Sequence, residues 1–354
     1  MLTLINRQIA RKDLNGARDS IFTYTELLCS KMLWNAAADV AHLAITLVER
    51  GHDPNSHVTE DDIAIFTSLF DLFSPLYTDE AKTYSKELES SAEQRHLPHI
   101  VFINDALKSV KQQNAKIWAS FDQANPDLSA SDASSDVKAA RQEARERFAK
   151  ELALIEAQLH GLLAQAYAAA TFKTNIPKNR TKFAKQAEDE FVLAMMPTEH
   201  VEFLVKLMGS EGPSEDDDAD EIMATIRRRQ VRFVRAALVY LARGSLKNAN
   251  AFVEAYRVHF PGEMPSFDKV EFPDNTNPAH FLAFLIKLCE YDAPSAYQSI
   301  RELYEPALCT PLFNELNNVY GWDVNQILSI VAQRYFNISP PKSILESALS
   351  LFGG

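Results

Sequence analysis

The 354-residue sequence is short of glycine, with only ten such residues. Phosphate-binding loops, dinucleotide-binding turns and tight β-hairpins rely on glycine, because it adopts positive φ at little steric cost. The chain also lacks the sequence patterns of P-loops, Rossmann folds, serine hydrolases and zinc metalloproteases. These absences argue against P-loop, Rossmann and all-β folds, and they leave no catalytic motif.

Cysteine is scarcer still. The three cysteines, Cys29, Cys289 and Cys309, are odd in number and form no C-x-x-C pair. Neither a disulfide framework nor a structural zinc site is therefore expected. Reduced thiols are typical of a cytosolic protein. We interpret Cys29, which follows the apolar spacing of an early helix, as a small buried thiol.

Long apolar runs are absent from the sequence as well. No window of 18 consecutive apolar residues occurs, so no membrane-spanning helix is expected. The N-terminus reaches an arginine at position 7 and lacks the apolar core of a signal peptide. We therefore expect a cytosolic protein that is not inserted into a membrane.

Positive charge is in deficit, because the formal net charge is −12. Nucleic acid is not an expected partner, since phosphates require a basic face; a basic partner would suit the overall charge. One basic run departs from this trend, Arg227-Arg228-Arg229 with Arg232 and Arg235. It could bind phosphate groups, be neutralised by the acidic residues that precede it, or form a solvated helix face.

Histidine and acidic clusters give only weak metal or enzyme hypotheses. His52 and His57 share one loop and His96 and His99 are three residues apart, but no second pair completes a ligand set. We interpret all four as residues of surface loops or helix starts. A helical terpene cyclase or di-iron enzyme needs DDxxD or paired ExxH sequences, and the nearest pattern, 216–218, lies in a polar linker. No metal, cofactor or catalytic residue is predicted.

Helix-forming residues are abundant. Alanine, leucine, glutamate and lysine fill the long stretches, and apolar residues recur at spacings of three and four, as from Leu14 to Leu28. The pattern predicts an all-α fold, an α-solenoid of stacked antiparallel helix pairs that is similar to tetratricopeptide (TPR) repeats but has no strict repeat consensus. Only residues 263–273 alternate as a strand does, which predicts one short β-hairpin insertion.

Composition divides the chain into three predicted parts. Residues 1–208 form an N-terminal helical-repeat half, and residues 209–221 form an acidic linker that we expect to be disordered. Residues 222–354 form a C-terminal helical half. It carries the hairpin and, after Pro340–Pro341, an apolar amphipathic tail.

Five segments then carry a family resemblance. They are residues 12–51, 61–73, 232–256, 277–308 and 334–354, the last reading RYFNISPPKSILESALSLFGG. Their order, together with the length and acidity of the chain, resembles the scaffold family of the guided entry of tail-anchored proteins, the family of its fourth factor. The first segment departs from the family pattern at Leu14, Asn15 and Arg18, where aromatic residues and histidine are usual.

The resemblance implies an α-solenoid adaptor with no catalysis of its own. Such proteins bridge a cytosolic targeting ATPase, through the N-terminal helices, to a ubiquitin-like co-factor, through the C-terminal half. The assembly hands newly made tail-anchored membrane proteins to the ATPase for delivery to the endoplasmic reticulum.

The resemblance also implies two partner-binding faces. The face for the ATPase comprises Arg7, Arg11, Lys12, Arg18 and Asp62. The face for the ubiquitin-like co-factor comprises Phe267, Val270, Phe272, Tyr335, Phe336, Ile338, Leu345 and Leu349. A basic residue that is frequent on the second helix of the family is replaced here, near Glu26 or Leu27. Ordinary packing within the chain is the alternative interpretation of the apolar set.

A second functional hypothesis is a different α-solenoid interaction subunit, similar to those of the proteasome lid or of vesicle coats. Such subunits usually end in a winged-helix domain that is rich in short strands. In this chain the strand-like alternation is confined to residues 263–273 and is followed by more helices. The adaptor hypothesis is therefore the better match.

Overall fold

The computed structural model describes residues 1–51, 58–76, 97–124, 135–174, 176–209, 219–263, 275–321 and 323–338. Within these ranges every regular element is a helix and no strand occurs, which confirms the predicted all-α class there. The predicted β-hairpin at 263–273 lies outside the described residues except for Glu263. The chain forms two compact units, residues 1–194 and 195–354, so the division falls before the boundary predicted at residue 208.

The first unit contains eight described α-helices and a short 3₁₀ turn at Ser74–Leu76. The helices are α1 (Leu2–Ala10), α2 (Leu14–Ser30), α3 (Trp34–Ala41), α4 (Leu43–Gly51), α5 (Glu60–Asp71), α6 (Pro98–Ala124), α7 (Ser135–Lys173) and α8 (Pro177–Leu193). Residues 2–51 hold four helices, because the chain turns at Lys12 and Met32, both with positive φ, and again at His42.

Helices of the first unit pack on their sequence neighbours and on the next helices along. Helix α2 contacts α1, α3 and α4, while α6 contacts α3, α4, α5 and α7, and α7 and α8 form a long helical hairpin. The buried side chains between them are mostly alanine, isoleucine, leucine and phenylalanine. This arrangement is that of an α-solenoid, and the closer likeness to TPR repeats remains a prediction.

The second unit contains eight described helices. They are α9 (Pro197–Gly209), α10 (Ala219–Ala242), α11 (Leu246–His259), α12 (Pro278–Tyr291), α13 (Pro294–Leu303), α14 (Glu305–Leu308), α15 (Pro311–Tyr320) and α16 (Val324–Phe336). Several begin with proline, whose fixed φ and missing N–H suit the first helical turn. Helix α10 begins at Ala219, so residues 219–221 of the predicted acidic linker are helical; residues 210–218 lie outside the described residues.

Helix α10 lies at the centre of the second unit. It contacts α9, α11, α12, α15 and α16, and every side chain from Phe233 to Ala242 is buried. The small residues Ala236, Ala237 and, on α11, Ala249 are almost fully buried, which allows the helices to pack closely. The stretch from Pro311 to Phe336 holds two helices, because the chain turns at Gly321 with φ 68°.

Candidate partner-binding surfaces

Four cations that the sequence assigned to the ATPase face lie on the turn between α1 and α2. Arg7 lies in the last turn of α1, Arg11 and Lys12 form the connection, and Arg18 follows on α2. All four side chains are exposed. We call this set the basic turn. The structure therefore groups these residues around one tight connection, with their charges directed to solvent.

Local hydrogen bonding explains why the chain turns there. The backbone N–H of Arg11 donates to the carbonyl of Arg7, and Lys12 takes the left-handed conformation with φ 60°. The Asp13 carboxylate then accepts from the backbone N–H of Gly16 at 3.1 Å and caps α2. The buried residues Ile5 and Ile9 hold α1 against its neighbours.

Asp62, the fifth residue assigned to the ATPase face, has a structural role. Its carboxylate accepts hydrogen bonds from the backbone N–H and the hydroxyl group of Thr59, both at 2.7 Å. Its own backbone N–H points back to the Thr59 hydroxyl, so the two residues form a capping box at the start of α5. Asp62 is only 9% exposed, and its carboxylate is thus largely committed to the helix cap.

On the second unit, Phe336 packs inside the protein. Its ring stacks on that of Tyr297 from α13, with centroids 4.8 Å apart and an interplanar angle of 29°. The Tyr297 hydroxyl donates to the carbonyl of Leu328 on α16 at 3.1 Å. Tyr297 thus holds α16 at two points, one apolar and one polar. For Phe336, the alternative interpretation of packing within the chain is the one that the structure supports.

The residues that precede Phe336 fix α16 against the turn between α10 and α11. Tyr335 is half-buried, and burial raises the pKa of its phenol to about 12. Arg334 lies so close to Gly244 that a Cβ atom added there would come within 2.6 Å of its guanidinium nitrogen. Gly244 has φ 80°, a conformation that other residues adopt only at a cost.

A groove lies beside these contacts, between α13, α14 and α16. It has a volume of about 460 Å³ and mixes polar and apolar walls. Its lining includes Tyr297 and Arg301 from α13, Leu308 and Cys309 at the end of α14, Ala332 from α16 and Ile338 beyond it. We call it the C-terminal groove. Among the described residues of the predicted co-factor face, Ile338 alone lines it.

The remaining residues of the predicted co-factor face lie outside the described residues. They are Phe267, Val270, Phe272, Leu345 and Leu349. The described chain reaches the first residue of the predicted hairpin, Glu263, which is held in place by hydrogen bonds. Its carboxylate accepts hydrogen bonds from the guanidinium group of Arg229 and from the Tyr256 hydroxyl.

The anchor at Glu263 also accounts for part of the arginine run. The Arg229 guanidinium lies 4.1 Å from the centre of the Phe260 ring, a cation–π contact, and Arg227 donates to the carbonyl of Thr276 at 3.3 Å. Arg235 is only 3% exposed. Arg227 and Arg229 are therefore engaged within the second unit and Arg235 is buried there, so these three arginines do not form a freely solvated face. The acidic residues at 215–218 lie outside the described residues, and pairing with them stays a prediction.

Three histidines of the described chain, His99, His160 and His200, are buried and make contacts within the fold. His99 begins α6, as predicted, but it is buried against Phe70 and Phe73, and burial lowers its pKa to about 3. His200 packs on Phe252, and His160 contacts Glu190. His52, His57 and His96 lie outside the described residues. No group of three potential metal ligands occurs among the described residues.

Two of the three thiols are inert in their surroundings. Cys29 is buried, as predicted, and burial raises its pKa to about 11; burial also raises the pKa of Cys289 to about 12. Cys309 is exposed on the wall of the C-terminal groove. Within the described ranges, no helix is both long enough and apolar enough to cross a bilayer.

Sequence reasoning missed most of the groove. Tyr297, Arg301 and Cys309 were not assigned to any face, because their partners on α16 are distant in sequence. One local signal was available: α13 buries only Tyr297. A helix with a single buried aromatic residue leaves the flanking part of that face for another segment.

Comparison with known proteins gives the following matches. The sequence profile of the family described as Golgi to ER traffic protein 4 matches residues 11–353. No curated protein matches the chain. Among solved structures, the crystal structure of C. therm. Get4 is similar, with 17% sequence identity, coverage of 99% of this chain and 94% of that chain, and a TM-score of 0.37.

Proposed function

Because the chain belongs to the Golgi to ER traffic protein 4 family, and so to the pathway that targets tail-anchored membrane proteins, we propose that it is the adaptor of that pathway. In this proposal it acts in the cytosol without catalysis and bridges a targeting ATPase to a ubiquitin-like co-factor. The family match over residues 11–353 carries the proposal. That span covers the C-terminal groove and all of the basic turn except Arg7.

The basic turn supports an ATPase-binding role for the first unit. Its four cations are exposed on one tight connection of a chain whose net charge is −12. A local basic set on an acidic protein favours an acidic patch on the partner. Exposed charges of this type raise the association rate and set the register, which suits a partner that binds and leaves with its nucleotide state.

The second unit supports the co-factor role in a different way. In the proposal, Tyr335 and Ile338 border the binding surface, and the residues of the predicted hairpin and tail supply its apolar anchors. Phe336 stacks on Tyr297 and so holds α16 in position beneath that surface. The anchor at Glu263 fixes the start of the segment that carries Phe267, Val270 and Phe272.

The test is affinity capture from cytosol with the tagged full-length chain and two double variants, followed by identification of the proteins that co-purify. Arg11→Glu with Arg18→Glu should lose the ATPase and keep the ubiquitin-like protein. Leu345→Ser with Leu349→Ser should lose the ubiquitin-like protein and keep the ATPase. The pattern of selective loss identifies each face.

Lys178→Glu with Lys182→Glu is the matched control for the basic turn, because both lysines are exposed on α8 of the same unit. This control should capture both partners at wild-type levels. Capture of neither protein by the unaltered chain would overturn the adaptor proposal. Equal loss in the control and in the Arg11/Arg18 variant would show that overall charge, rather than the basic turn, governs binding.

A further inference from the structure

The C-terminal groove lies where the chain leaves its last described helix. Asn337 ends α16 in the left-handed conformation, with φ 53°, and the Ile338 backbone N–H donates to the carbonyl of Ala332 at 3.2 Å. Together with the left-handed Asn337, this hydrogen bond turns the chain back towards the helix it has just left. Ile338 consequently lines the groove together with Ala332, a residue of the preceding turn.

Sixteen residues, 339–354, follow that point in the sequence. They begin with a serine and two prolines, and their apolar residues then recur at helical spacing: Ile344, Leu345, Ala348, Leu349 and Phe352. We propose that this tail docks in the C-terminal groove of its own chain. Ile338 is then the first residue of the docked segment.

Length and direction both favour this occupant. A chain extends by at most about 3.6 Å per residue, so the six residues from Ile338 to Ile344 reach about 20 Å. The groove wall on α13 runs from Tyr297 to Glu302, a distance of about 8 Å along a helix at 1.5 Å per residue. The tail therefore starts inside the groove and has ample length to follow it.

The charges of the groove match those of the tail. The groove lining carries Arg301 together with Glu302 and Glu305. The tail carries one residue of each sign, Lys342 and Glu346. Apolar side chains are the source of affinity, while charges of both signs on the groove and on the tail fix the direction in which the tail lies.

The docked tail gives Leu345 and Leu349 a place in the free chain. A ubiquitin-like partner that takes these side chains has to displace them from the groove, and this clause alone rests on the proposed function. Docking itself concerns the isolated chain. An experiment on the purified protein without partners therefore tests it separately from the capture experiment.

Cys309 supplies the probe, because it is an exposed thiol on the groove wall whereas Cys29 and Cys289 are buried. The rate of its alkylation by N-ethylmaleimide is measured by mass spectrometry in the full-length chain. We expect Leu345→Ser with Leu349→Ser to raise this rate about tenfold, which corresponds to about 1.4 kcal/mol of docking free energy. A chain ending at Ser339 should show the same increase.

Matched controls locate the effect. Ser347→Thr with Ser350→Thr changes the same segment but keeps its apolar residues, so the alkylation rate should stay at the wild-type value. Ser299→Cys in a Cys309→Ser background places the thiol on an exposed position of α13 outside the groove, and its rate should not respond to the tail variants. Slow alkylation of Cys29 and Cys289 throughout reports that the fold is intact.

Two outcomes overturn the proposal. Equal Cys309 rates in the wild type, the tail variant and the shortened chain would show that the tail does not cover the groove. Protection that grows with protein concentration would show that a second copy of the chain, rather than the chain's own tail, occupies it. Either result leaves the capture experiment and the proposed adaptor role unaffected.

Discussion

The basic turn and the end of α16 both carry residues that the sequence analysis assigned to partner-binding faces, and they differ in how far those residues are exposed. All four cations of the basic turn remain exposed. On α16, by contrast, Phe336 is buried against Tyr297 and Tyr335 is half-buried. A cluster of charged side chains on a short turn stays exposed to solvent, because burying an unpaired charge costs free energy. An apolar residue can lie either in a core or at an interface, so the sequence alone does not distinguish the two locations.

The contrast between the exposed basic turn and the buried Phe336 would be lost if Phe336 were a partner contact rather than a core residue. We expect Phe336→Ala to lower the free energy of unfolding of the second unit by about 3–5 kcal/mol, because it removes a buried aromatic ring and leaves a cavity. Urea denaturation followed by circular dichroism measures this. Val258→Ala, at an 80% exposed apolar residue of α11, is the control and should cost little. A loss of unfolding free energy below about 1 kcal/mol for Phe336→Ala would indicate that the ring is exposed and not part of the core.

A second prediction concerns the buried histidine of the first unit. His99 has its pKa lowered to about 3, whereas an unfolded histidine titrates near 6.5. Below pH of about 6.5 the unfolded chain binds a proton that the folded chain refuses, so stability falls as pH falls from about 6.5 to about 3 and is unaffected above that window. From pH 7 to pH 5 the expected loss is about 2 kcal/mol.

The matched measurement compares His99→Leu with the wild type in urea at pH 7 and pH 5. Fluorescence of Trp34, measured in a background in which the other two tryptophans are replaced by phenylalanine, reports the first unit, because its ring lies 6.4 Å from that of Phe73 beside His99. The variant should lose about 2 kcal/mol less than the wild type over this interval. His259→Gln, at an exposed histidine, should behave as the wild type does. Equal pH slopes for the His99 variant and the wild type would contradict the assigned burial.

A smaller effect is expected at the turn that supports α16. Gly244→Ala should cost about 1–2 kcal/mol, because alanine is disfavoured in the left-handed region and its Cβ would press on Arg334. Gly262→Ala is the matched control: it also has positive φ, at 92°, but nothing lies within 4 Å of an added Cβ atom. The excess cost at Gly244, measured by urea denaturation, isolates the contact with Arg334. Equal costs would mean that Arg334 moves aside freely.

The smallest expected effect on stability concerns the basic turn. Arg18→Glu should change the free energy of unfolding by less than about 0.5 kcal/mol, since exposed side chains away from special contacts contribute little to stability. Thermal denaturation of the purified chain measures this. A destabilisation above about 1 kcal/mol would show that the basic turn serves the fold, and the charge-reversal capture experiment would then need a different pair of arginines.

Much of the fold was predictable because its causes are local. The cap at Asp13, the acidic start of α5 and the alanine-lined packing of α10 all depend on residues within a turn or two of each other. The sequence also correctly indicated that Cys29 is buried. Helix periodicity and capping act over such short distances, so a single sequence carries them.

Contacts between distant residues were not predictable in the same way. Arg229 was considered as a phosphate ligand, yet its partner is Glu263, 34 residues away. Tyr297 and Phe336 come together from different helices, and nothing in either local sequence identifies the other. Asp62 shows a different limit: the family resemblance assigned it to a binding face, whereas its position three residues after Thr59 makes it a helix cap.

The pair between Arg229 and Glu263 has a consequence for experiments at different ionic strengths. The two side chains are only 18% and 15% exposed, and partly buried charges are screened much less than those in open water. Added salt should therefore leave the attachment of the segment after Glu263 intact while it weakens encounters guided by the basic turn. A salt titration of partner capture thus distinguishes binding through the basic turn from binding through the segment after Glu263, without any mutation.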